Sequence, residues 1–153
     1  MSDGPFLLII DSRFYEDIAD ELVKGAVAAI EASGGSYTRV SVPGAFEIPA
    51  AVRFAVRSME LVGGRRRFEG YALLGCVIRG ETDHYEHVCR ESIRAINDIA
   101  VQYSLAVGLG ILTCNTREQA ISRAAVDQGN KGGAAAEAAM QMINVKRSFL
   151  PPR

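Results

Sequence analysis

A histidine at the start of a helix, one short glycine turn after an apolar strand, is an arrangement that can move protons beside an anion. Here the run Gly75 to His87 reads GCVIRGETDHYEH, with a strand ending at Ile78, a turn around Gly80 and a helix opening on Asp83 and His84. In an open parallel sheet such strand-to-helix turns lie at the carboxyl edge, where ligands bind. Free N–H groups at a helix start favour anions. The same positive end disfavours an imidazolium, which leaves His84 ready to accept a proton. The run therefore predicts a phosphate-handling, acid–base site.

Each of these residues also has a plainer reading. His84 can simply open a helix in solvent, although its place beside a glycine turn at the binding edge favours chemistry. His87 completes HxxH, but no HExxH pattern and no carboxylate at a ligand spacing accompany it, so no metal is expected. Gly80, Glu81 and Thr82 make a turn, and a turn at a helix start is also an anion nest. There is no GxxxxGK followed by Ser or Thr, and GLG at 108–110 is no GxGxxG, so neither ATP nor a dinucleotide is supported. Phe14, just past a strand end beside Ser12 and Arg13, suits a core or a stack on a flat heterocycle. Arg123 reads as surface, and becomes a phosphate fork only where a partner brings it to the turn.

The elements that must hold these residues alternate in a βαβ pattern. Phe6 to Ile10 is the first strand, followed by a helix from Tyr15 to a stop at Ser33, Gly34 and Gly35. Tyr37 to Val42 is the second; Pro43 and Gly44 break it, and Pro49 suits the first turn of a helix reaching Val62. Gly63 and Gly64 end that helix, and Arg65 to Arg67 solvate the turn that follows. Phe68 to Ile78 holds the third strand. The next helix puts Cys89, Ile93, Ile96, Ala100 and Tyr103 on one face, with Asp83 and Glu86 as a capping pair. Leu105 to Leu112 is the fourth strand, Thr116 and Gln119 form a capping box for a helix through Val126, and an alanine-rich helix runs from Ala134 to Asn144.

Four buried parallel strands covered on both faces make a three-layer αβα sandwich. Its strand ends bring together Ser12 to Phe14, Pro43 to Glu47, Arg79 to His84 and Thr113 to Thr116, and a site is expected where they converge. The apolar last helix leaves a face for oligomer contacts.

The 153 residues are the size of one ordinary domain, with 48% hydrophobic residues and 17 basic against 18 acidic side chains. Such a chain can bury a core without disulfides and has no basic excess for nucleic acid. MSDGPFLLII carries an acid where a secretion signal is basic, and no stretch is long enough to span a bilayer. Cys76, Cys89 and Cys114 are odd in number and lack CxxC spacing, which argues against a disulfide framework or structural zinc and fits a reducing cytoplasm.

SRF at 12–14, VPGAFEIP at 42–49, VIRGETDHYEHV at 77–88, GILT at 110–113, EQA at 118–120 and GNKGG at 129–133 together resemble the lumazine synthase family, in order and over nearly the whole chain. The VPGAFEIP and RGETDH blocks are each specific. The resemblance implies a flavodoxin-like form of the sandwich and the penultimate step of riboflavin biosynthesis. In that step 5-amino-6-(D-ribitylamino)uracil and 3,4-dihydroxy-2-butanone 4-phosphate condense to 6,7-dimethyl-8-ribityllumazine and phosphate, with no metal or organic cofactor.

Carried onto these positions, the resemblance implies that Phe14 stacks on the pyrimidinedione while Ala45, Phe46 and Glu47 hold the ribityl chain and ring edge. Cys76, Val77 and Ile78 would line the ring mainly through backbone, Glu81 and Thr82 would offer amides to the phosphate, and His84 would shuttle protons. Because the family's pocket lies between subunits, Leu109, Arg123 and Lys131 would come from a neighbour, with Arg123 on the phosphate. Two departures stand out. Leu109 replaces the phenylalanine or asparagine common in the family, and Ala125 to Gln128 replace a Gly- and Lys-containing turn that resembles the mark of shell-forming members. A free homopentamer, or pentamers loosely paired, is therefore expected rather than a sixty-subunit shell. The rival readings are a flavin- or lumazine-binding paralogue with little activity and a flavodoxin-like signalling or electron-transfer module.

Overall fold

The computed structural model describes residues 4–61 and 67–151. The apolar runs form β1 (Phe6–Ser12), β2 (Ser36–Val42), β3 (Gly70–Ile78) and β4 (Val107–Cys114). The helical segments form α1 (Glu16–Ala32), α2 (Ile48–Leu61), α3 (His84–Tyr103), α4 (Arg117–Ala124) and α5 (Lys131–Ser148), with a 3-10 turn, Ala45–Glu47, leading into α2. Every strand pair is parallel, in the order β2-β1-β3-β4. Side chains on β1 alternate between two cores. Leu7 and Ile9 pack with Leu22, Ile30 and Ile143 of α1 and α5, whereas Leu8 and Ile10 pack with Ile48, Val52 and Ile96 of α2 and α3. Both faces of the sheet are thus covered, and the chain has the expected three-layer, flavodoxin-like α/β fold. Among the described residues no helix is long and apolar enough to cross a membrane.

Three elements differ from expectation. The last helix begins at Lys131, not Ala134, because Asn130 caps it by accepting from the Gly133 N–H at 3.3 Å. Gly132 lies inside its first turn, where a Cβ would come 1.9 Å from the carbonyl oxygen of Leu22. That glycine permits two helices to touch rather than ending one. At the other end α5 continues to Ser148, tied down by Lys146 Nζ donating to the Ser104 carbonyl and by an Arg147–Glu69 ion pair.

On α3, Ile96 is buried as expected, but its companions in the core are Val88 and Ile99. Cys89, Ile93 and Ala100 instead border an open groove beside β4, and Tyr103 lies under the Arg53 guanidinium at 4.7 Å. The fourth helix stops at Ala124, two residues short of Val126. Val62, Gly63, Gly64, Arg65 and Arg66 lie outside the described residues, and Arg67 is exposed.

Candidate active site

The site is built where β1 stops and β3 does not. Pairing between β1 and β3 ends at Asp11 and Leu74, while β3 runs on against β4 as far as Ile78 and Cys114. The backbone of Cys76 to Ile78 therefore extends past β1 and borders a cavity of about 660 Å³ at the carboxyl edge of the sheet. Phe14 enters it from the β1–α1 turn, Ala45, Phe46 and Glu47 from the 3-10 turn, and Thr82 and His84 from the start of α3. The rings of Phe14 and Phe46 are 72% and 63% exposed, so neither is held by a core. Two aromatic faces, a carboxylate, an imidazole and a strand's main chain thus surround one space. This suits a flat, polar-edged heterocycle whose substituents carry hydroxyls.

His84 is the first residue of α3 and is exposed; its N–H faces Thr82 Oγ1 at 3.4 Å. The expected capping pair does not form. Asp83 is the N-cap residue but makes no side-chain cap, because its carboxylate lies 3.3 Å from His87 Nε2 and Glu86 turns to Arg79 at 3.4 Å. Side-chain partners have displaced amide partners. Arg79 in turn donates from Nε to Asn115 Oδ1 at 2.9 Å and stacks 4.5 Å over the Tyr85 ring, bracing the helix start against the end of β4. The other box is partly realised: Thr116 Oγ1 accepts from the Gln119 N–H, but Gln119 reaches back to the N–H of Asn115.

Burial sets the state of the thiols. It pushes the Cys76 thiol up to about 12, with Cys114 adding to the effect, so Cys76 meets the cavity as a neutral, unreactive group. Cys89 and Cys114 are raised for the same first reason. The Tyr15 phenol is raised by burial and then by Cys76, against a smaller opposing effect of Arg117.

Not every residue singled out from the sequence reaches this cavity. Glu81 sits exposed in the turn and does not line it. Leu109 lies on β4, 45% exposed, in a second opening of about 980 Å³ between α3 and the free edge of that strand. Arg123 is exposed on α4, donating to the Gln119 carbonyl at 3.3 Å with its guanidinium against Cys114, and Lys131 is exposed at the start of α5. Conversely, Tyr15, Tyr85, Val88 and Glu91 line the cavity without having been expected there, and so does His87. Val88 and Glu91 follow His84 by one and two helical turns, a spacing that would have found them.

A sequence model of the 6,7-dimethyl-8-ribityllumazine synthase family matches residues 5–147. The chain belongs to this family. It is similar to the 6,7-dimethyl-8-ribityllumazine synthase of Bartonella tribocorum, 50% identical over 149 residues covering 97% of this chain and 95% of that one. The protein of that name from Afipia carboxidovorans is 49% identical, covering 97% and 90% of the two chains. The 6,7-dimethyl-8-ribityllumazine synthase 1 of Rhodopseudomonas palustris is 48% identical, covering 94% and 87%. As a member of the lumazine synthase family the chain is an enzyme, a transferase of riboflavin biosynthesis.

Proposed function

We propose that this lumazine synthase binds ribitylaminouracil in the cavity at the end of β3 and joins it to butanone phosphate with His84 as proton carrier. The observation that carries the reading is the meeting of Phe14, Glu47, the Cys76–Ile78 main chain and His84 around one space. Phe14 stacks on the pyrimidinedione, Ala45 and Phe46 border the ribityl chain, and Glu47 accepts from its hydroxyls. The main chain of Cys76 to Ile78 meets the ring edge.

The phosphate lies at the Gly80–Thr82 turn, where the amides of Glu81 and Thr82 and the positive end of α3 favour it. The substrate amine attacks the ketone and the carbinolamine loses water to give an imine; loss of phosphate leaves an enol that becomes a ketone, and the ribityl-bearing nitrogen closes the ring on that carbonyl with loss of a second water. Each step moves a proton, and one imidazole can serve several in turn. The rest of the acceleration comes from holding two small reactants together.

Leu109, Arg123 and Lys131 do not line this cavity on their own chain, which supports assigning them to a neighbour's. In this reading identical copies pack head to tail in a closed ring, a homopentamer, each completing the next one's site, with Arg123 on the phosphate. Shared sites of this kind make the ring part of the catalyst. The protein works in the cytoplasm, where its three free cysteines stay reduced. Purified protein given both substrates should release phosphate in step with a new lumazine absorbance; bound flavin without phosphate release would overturn the reading. Light scattering should give a pentamer, and a megadalton particle would exclude it.

A further inference from the structure

Asp11 is the most deeply buried charged side chain among the described residues, with 0% exposure, and it plays no part in the reaction above. It stands one residue before the end of β1. Arg39 on β2 grips it with a fork, Nε to Oδ1 at 2.9 Å and Nη2 to Oδ2 at 3.2 Å. Ser41 Oγ lies 3.1 and 3.2 Å from the two carboxylate oxygens. On the other side Arg13 donates from Nη1 to Oδ2 at 3.2 Å. The same guanidinium donates from Nη2 to Asp20 of α1 at 2.6 Å, and the Arg13 N–H donates to the Val42 carbonyl at 2.9 Å.

Asp11 is fully buried while Arg39 and Arg13 stay 39% and 25% exposed, and an ion pair with one end desolvated is a poor device for stability alone, because desolvation offsets much of its attraction. What a fork provides is direction. The residue it directs is Arg13, whose next neighbour in the chain is Phe14. On its own chain that ring is 72% exposed and meets Tyr15 edge-on, at 4.9 Å and 72°, so packing within the chain does not fix where it points. The backbone beneath must do so. Arg13 is folded back onto Asp11 and Asp20, away from the cavity, while Phe14 lines it.

We propose that Asp11 is a positioning residue: anchored on β2 by Arg39 and Ser41, its carboxylate holds Arg13 and thereby sets the Phe14 ring at the height needed to stack on the substrate's pyrimidinedione. This rests on the assignment of Phe14 to ring binding under the proposed function. A ring set in place before binding loses less freedom when the substrate arrives, so the effect falls on that substrate's affinity.

The test is steady-state kinetics of the intact oligomer with both substrates. Asp11→Asn keeps the shape and removes the charge; it should raise the KM for ribitylaminouracil roughly tenfold while leaving the KM for butanone phosphate and kcat within about twofold. Arg13→Met, which leaves Asp11 paired with Arg39 and Ser41, should give the same split and decides the matter if the Asp11 variant does not fold. In a Phe14→Ala background neither substitution should change the KM by more than about twofold, because the ring they position is gone. Equal changes in both KM values, a lowered melting temperature with no KM split, or an effect that persists without Phe14 would overturn the proposal. Phe14→Ala alone separates the two layers. If it leaves the ribitylaminouracil KM unchanged, the ring-stacking assignment fails and the positioning role with it; if it raises that KM and Asp11→Asn does not, only the positioning role fails.

Discussion

Two open regions flank the start of α3, and Tyr85 lines both. One is the cavity at the carboxyl edge of the sheet, where strand ends deliver Phe14, Glu47 and His84. The other is the groove along β4, where Ile93, Ala100, Val101, Leu109 and Met142 present apolar surface to solvent. The cavity suits the reactants of the proposed function. The groove is mostly apolar, with Val101 74% and Met142 45% exposed, and carries Arg90, Arg94 and Asn97 along its lining. In the proposed ring they are the two sides of one repeated interface: the β4 edge of each copy, with Leu109, and Arg123 on the helix that follows, close the cavity of the next. If that ring forms, the contrast teaches that the side chains of the cavity and the surface that closes it follow different rules, the first set by strand ends and the second by the uncovered β4 edge and the helix after it.

The contrast can be broken at the groove first. Val101→Asp places an unpaired charge on the apolar side; the protein should elute as smaller species and lose roughly 100-fold or more of its activity, though no cavity residue is changed. Full activity from a monomer would show that the groove completes nothing. A change inside the cavity should cost about as much without touching assembly: His84→Ala should lower kcat by about 100-fold with the same elution volume, since orientation survives loss of the proton carrier. Arg123→Ala should be milder and selective, raising the KM for butanone phosphate about tenfold with little change for ribitylaminouracil. Equal effects on both substrates would remove Arg123 from the phosphate.

The smallest effect concerns pH. The Cys76 thiol rises from an ordinary 9.0 to about 12 on folding. Between those values the unfolded chain has released the proton and the folded chain keeps it, so stability falls as pH climbs through that window. Tyr71, raised from 10.0 to about 12 by burial, acts in the same direction. Urea midpoints across the alkaline range should fall less steeply in Cys76→Ala than in the parent.

Much of the fold is legible in the sequence because parallel strands buried on both faces read as plain apolar runs, and because strand ends in such a sheet all point one way. Those two facts place Phe14, Glu47 and His84 near one another before any coordinate is known. The last helix, read from Ala134, misses its first turn, since a glycine such as Gly132 that permits contact with Leu22 looks the same in sequence as one that keeps a helix from starting. Asp83 and Glu86 have the residue types of a cap, but Arg79 and His87 compete for them. Asp11 reads as the end of an apolar run; its worth depends on Arg39 and Ser41, brought alongside by strand pairing that local pattern does not reveal. The unexpected wall of Val88 and Glu91 follows from helical spacing after His84 and is within reach of sequence reasoning.

The central claim, that one copy's cavity is finished by the next copy's Arg123, is tested most directly by mixing two damaged proteins. His84→Ala and Arg123→Ala subunits are purified, unfolded together and reassembled, then assayed with butanone phosphate held below its KM. In a random ring about a quarter of the interfaces pair an intact His84 with an intact neighbouring Arg123, and the mixture should recover activity well above the sum of its parts. A mixture that never exceeds that sum, although it assembles normally, would show that each chain carries its whole site alone.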